Sequence, residues 1–105
     1  MNVYGVFRKA PPDSSREIVR VSKDRSLAEE WIKTTKERGY YVETFALPFE
    51  IGDAKEIYTL EGYERVWDVF VDIGIYFLTY DEARKKRSEL ERNDEKYSIR
   101  TVYVL

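Results

Sequence analysis

The sequence predicts an α+β domain in which a strand–strand–helix–strand unit is used twice, giving a mainly antiparallel sheet with two helices on one face. Three observations lead there. Two capping-box patterns, Ser26-Leu27-Ala28-Glu29 and Thr79-Tyr80-Asp81-Glu82, each open a segment with helical character. Runs rich in β-branched and aromatic residues flank both segments in the same order. Finally, Val66-Trp67-Asp68-Val69-Phe70 echoes Val3-Tyr4-Gly5-Val6-Phe7, and Ile99-Arg100-Thr101-Val102-Tyr103-Val104 echoes Val42-Glu43-Thr44-Phe45-Ala46-Leu47. The echoes point to an internal duplication within one compact domain. Residues 1–48 form the expected first repeat and 63–105 the second. Residues 49–62 form a connector that can hold a short extra strand.

Each element follows from local chemistry. Val3–Arg8 is rich in β-branched and aromatic residues and reads as a strand. The prolines of the 10–15 segment fix φ and remove donors, so a loop is expected before a second strand at Glu17–Val21. The helix is expected over Ser26–Arg38, with Asp24 and Ser26 as rival N-caps and Leu27, Ala28, Trp31 and Ile32 on its apolar stripe. Gly39 is placed to end it, and Tyr40–Leu47 reads as a third strand stopped by Pro48. In the second half, strands are expected at 66–70 and 74–78 around a turn at 72–74, then a helix to about Asn93 and a last strand at 99–104. A hairpin followed by a returning helix gives each half the strand order 2-1-3.

Both faces of the first strand carry apolar residues: Val3 and Phe7 on one, Tyr4 and Val6 on the other. A sheet with helices on one side ordinarily leaves its other face polar. That second face is therefore expected to be covered by the chain itself, by a second copy in a homodimer, or by another protein.

The composition excludes much chemistry. There is no histidine and no cysteine, so His-based general acid–base catalysis, thiol nucleophiles, disulfides and zinc–thiolate sites have no residues to work with. The five glycines are isolated and form no phosphate-cradling motif. A net charge of −2 favours neither a nucleic-acid binder nor a strongly acidic mimic. No apolar run is long enough to cross a bilayer, and no leader pattern opens the chain. No catalytic, metal-binding or cofactor-binding residues are expected, and a cytoplasmic location fits the lack of cysteine. Asp68 and Asp72, four apart on a strand, would stand about 13 Å apart, which suits no paired-carboxylate mechanism.

What remains is binding. The segment 56–72 combines Glu56, Glu61, Glu64, Asp68 and Asp72 with Tyr58, Tyr63, Trp67 and Phe70. Aromatic side chains give large contact area at low entropic cost, and acidic neighbours steer a basic partner. Tyr58, Tyr63, Glu64, Trp67 and Asp68 are the expected partner-binding residues of a non-enzymatic protein-binding module. Such a module would act as a small adaptor, regulator or inhibitor, virus-encoded inhibitors among them, by occluding a partner's surface. Arg84-Lys85-Lys86-Arg87 is the only basic run, and Arg84, Lys85 and Arg87 are the candidate anion-binding residues. Combined with sheet aromatics they support an alternative reading as a nucleic-acid-binding protein. A homo-oligomeric structural protein is the other alternative.

Overall fold

The computed structural model describes residues 1–10, 15–93 and 95–105. Pro11–Ser14, where the proline-rich loop is expected, lie outside them. The elements are β1 (Asn2–Ala10), β2 (Ser15–Ser22), α1 (Arg25–Thr34), β3 (Tyr40–Ala46), β4 (Glu56–Glu64), β5 (Val69–Phe77), α2 (Tyr80–Leu90), a 3₁₀ turn at Glu91–Asn93, and β6 (Tyr97–Val104). The six strands form one mixed sheet in the order β3-β1-β2-β6-β4-β5. All neighbours are antiparallel except β2 and β6, which pair in parallel through Arg20 with Tyr103 and Val21 with Val104. No helix of the described residues is long and apolar enough to cross a membrane.

The sequence expectation for the second hairpin is displaced. The strand expected at 66–70 is not one: Arg65–Asp68 form the turn between β4 and β5. Most of β4 lies in the stretch expected to be a connector, 49–62. Asp68 makes the reversal possible by taking φ 51°, a left-handed conformation that Asp tolerates better than branched residues. The β-favouring text Val66-Trp67 is thus overridden by turn geometry. The turn expected at 72–74 is instead a bulge inside β5. Gly74 takes φ 75°, its N–H donates to Asp72 Oδ1 at 2.8 Å, and the register slips between Thr59 and Glu61.

β1 and β4 each lie between two partner strands. Val3, Val6, Ile57 and Leu60 are all 0% exposed. The text at 66–70 that echoes 3–7 therefore does not form a central strand.

Both helices are shorter than the periodicity predicts. α1 starts from Asp24, whose carboxylate accepts from Ser26 N at 2.8 Å, so Asp24 and not Ser26 is the N-cap. It ends at Thr34, and Gly39, at φ 95°, instead leads the chain into β3. Leu27 is exposed and Trp31 only half-buried; Ala28 is the buried contact. α2 starts from Thr79, whose hydroxyl accepts from Glu82 N at 3.3 Å and lies 2.9 Å from its carboxylate. Ala83 is its buried contact.

The helices share one face. Arg20 lies over the Trp31 ring of α1 and beside Tyr103 of β6, and Tyr58, opposite Thr101 on that face, meets Tyr80 of α2 edge-on at 5.8 Å. The other face carries the main core of Val3, Phe7, Ile18, Val21, Ile57 and Val102. The chain covers it in two ways. Leu47, Phe49, Ile51 and Ala54, between β3 and β4, pack across it. The sheet also curls until its two edge strands meet, with Phe45 of β3 and Tyr76 of β5 at 5.1 Å between ring centroids.

Gly5 of β1 lies against the Phe7 and Phe45 rings. A Cβ there would come within 2.5 Å of the Phe7 ring and 2.8 Å of the Phe45 ring. Gly5→Ala is expected to cost about 1–3 kcal/mol by overpacking, read as a lower urea midpoint at constant m. An unchanged midpoint would show that the two rings give way freely.

Candidate docking site at the β4–β5 hairpin

The turn after β4 projects Val66, Trp67 and Phe70 to solvent at 81, 59 and 44% exposure. Such large apolar groups rarely cluster in the open without a use. Tyr63 and Phe70, opposite each other in the register, pack at 5.5 Å between centroids. The Tyr63 hydroxyl bonds Asp68 Oδ1, which ties the turn to the strand and raises the Tyr63 pKa. Lys96 Nζ lies 5.8 Å from the centre of the same ring. A groove of about 320 Å³ runs beside the turn between Tyr63, Glu64, Trp67, Val71, Ile73 and Tyr97.

Four of the five expected partner-binding residues, Tyr63, Glu64, Trp67 and Asp68, are therefore gathered at one hairpin end. Tyr58 is not among them: it lies further back along β4 beside α2, its hydroxyl 2.6 Å from Glu56. Val66 and Phe70 join the patch although neither is among the five expected partner-binding residues: Val66 lies in the turn that the strand-like text conceals, and Phe70 stands on β5 just after it.

The basic run of α2 does not converge. Arg84 pairs with Asp81 at 3.8 Å and Arg87 with Glu91 at 3.4 Å, both along the helix, as i,i+3 and i,i+4 partners do. Lys85 shares a shallow surface depression with Asp81, Glu82 and Arg84. Asp68 and Asp72 do not share a face. Asp68 occupies the turn, whereas Asp72 turns inward, its Oδ1 3.3 Å from the buried Thr59 hydroxyl.

Behind the hairpin lies a half-buried ion pair, Glu61 Oε1 to Arg100 Nε at 3.5 Å. Arg100 also reaches across the sheet to donate from Nη2 to the Ile18 carbonyl. Glu61 is only 13% exposed. Burial raises its pKa above the ordinary 4.5; Arg100 lowers it, and Glu17 and Asp72 add to the rise. A carboxyl with a raised folded pKa lends stability that is complete below the unfolded value and is lost as pH rises through the folded one. Relative to Glu61→Gln, which does not titrate, the protein is expected to lose stability as pH rises from about 4.5 through the raised folded value. Urea unfolding of both proteins across that range checks this, and a constant difference refutes it.

Comparison with protein-family models, with curated proteins and with solved structures found no match.

Proposed function

We propose that this chain is a non-enzymatic protein-binding module that docks through the β4–β5 hairpin end. It acts as a small adaptor, regulator or inhibitor by covering a partner's surface. The observation that carries this reading is the joint exposure of Val66, Trp67 and Phe70 around a turn braced by Tyr63 and Asp68. The bracing lowers the entropy that binding must overcome. Glu64 and Asp68 at the rim favour a partner with a basic surface. Absence of cysteine and histidine supports a non-catalytic, cytoplasmic role. We further propose that the two halves arose by duplication. The equivalent burial of Val3 and Val6 in β1 and of Ile57 and Leu60 in β4 supports it, in place of the echo at 66–70.

The test is affinity capture from a native lysate with nuclease present, using the wild type and Val66→Asp. A stoichiometric protein recovered by the wild type and lost with Val66→Asp is the expected result. Equal recovery by both would move the docking surface elsewhere. Recovery of this chain alone, with a dimer in sedimentation that Val66→Asp dissolves, would make the hairpin a self-association site instead.

A further inference from the structure

The second feature of interest lies away from the hairpin, on the helix side of the sheet. β2 and β6 are paired only at Arg20–Tyr103 and Val21–Val104, and the Arg100 side chain spans towards Ile18 further along. Over this seam, against α1, lies a cleft of about 300 Å³ whose lining includes Arg8, Arg20, Arg100, Trp31, Glu17 and Glu37.

The three guanidiniums are not equivalent. Arg8 is committed: it meets Glu17 at 2.5 Å, Glu37 at 3.4 Å and the Tyr40 hydroxyl at 3.4 Å. Those contacts also occupy the two carboxylates of the cleft. Arg20 makes no ion pair among the described residues. Its guanidinium lies 5.0 Å from the Trp31 ring centre and 5.3 Å from that of Tyr103, and one N–H goes to the Val19 carbonyl at 2.7 Å. Arg100 has a buried Nε without a hydrogen-bond partner among the described residues, its nearest acid being Glu61 at 3.5 Å.

A guanidinium offers five N–H donors in a planar fork that matches the paired oxygens of a carboxylate or phosphate. Aromatic contacts at its faces direct further polar partners to its edge and hold its rotamer, so little freedom is left to lose on binding. Arg8 holds both cleft carboxylates and Arg100 lies against Glu61, which leaves Arg20 as the guanidinium of the cleft without a carboxylate among the described residues. We propose that this cleft is a binding site for a small oxyanion, with Arg20 as the bidentate donor and Arg100 as the neighbouring positive charge. The basic residues of α2, each drawn to acids of its own helix, are not part of it.

The chain has two tryptophans, so Trp67→Phe leaves Trp31, which touches Arg20, as the sole tryptophan, read by excitation at the red edge where tyrosine does not absorb. This protein would be titrated with inorganic phosphate and, separately, with acetate, against sodium chloride at matched ionic strength. A saturable change with a Kd of order 1–10 mM is expected for a few charge-assisted hydrogen bonds. Arg20→Gln is expected to weaken it at least about tenfold, and Arg84→Gln to leave it unchanged. Saturation by phosphate alone would assign a phosphate ligand, and by acetate alone a carboxylate. Should Arg20→Gln fail to fold, the Arg20 Nε–Hε resonance of the unsubstituted protein must shift on titration. A response no different from chloride, a Kd unaltered by Arg20→Gln, or an unmoved Arg20 resonance would each overturn the proposal.

Discussion

Phe7→Ala is expected to destabilise the protein by about 3–5 kcal/mol, the range for a fully buried large aromatic. Phe7 is 1% exposed and belongs to the main core cluster on the concave face. Its ring lies 6.0 Å from Tyr41 and 5.8 Å from Phe45, and the Arg16 guanidinium lies 4.1 Å from its centre. Removal would open a cavity where β1 and β3 face the far edge strand. The loss exceeds that of an ordinary core position because the Phe45–Tyr76 contact, which joins the two sheet edges, leans on the same ring. Guanidinium unfolding monitored by circular dichroism gives the value. A loss below about 1 kcal/mol would mean that the concave face is not the principal core.

Trp67→Ala combined with Phe70→Ala should have the opposite profile. Both side chains are part-exposed and neither belongs to a core cluster, so stability is expected to move by no more than about 1 kcal/mol. Affinity for the docked partner should fall about 30-fold or more, which corresponds to roughly 2 kcal/mol, the scale of an aromatic anchor at an interface centre. Isothermal titration with the captured partner measures it. The pairing of unchanged melting with lost binding separates a recognition surface from a structural one. Strong binding retained by the double variant would remove the hairpin from the interface.

These two expectations differ in how far they could be read from sequence. Phe7 was recognisable as apolar and opposite in facing to Tyr4 and Val6, because side chains alternate along a strand. Membership of Val3 and Phe7 in one cluster and of Val6, beside Tyr4, in another follows that alternation. The hairpin patch was legible in composition but not in shape. The acidic and aromatic content of 56–72 points to Tyr63, Glu64, Trp67 and Asp68, yet strand propensity puts Trp67 on a strand. Propensity rates Val66 and Trp67 as strand formers, whereas pairing of Tyr63 with Phe70 and Glu64 with Val69 commits them to the turn. Tyr58 has the same residue type and the same composition around it, but α2 claims its face.

Helix capping, the α+β class and the order of strands within each half lie within a few residues of one another along the chain. They are governed by local hydrogen bonding and by the handedness of short connections. Composition alone likewise removes histidine and cysteine chemistry, since no fold can supply a missing side chain. The curl that joins Phe45 to Tyr76, the parallel seam of β2 with β6, and the meeting of Arg8, Arg20 and Arg100 in one cleft bring together residues up to 92 positions apart. No local pattern encodes such contacts. They arise because two apolar faces on one sheet must both be buried, and a curled sheet with α1 and α2 outside and the 47–54 segment across its hollow buries both.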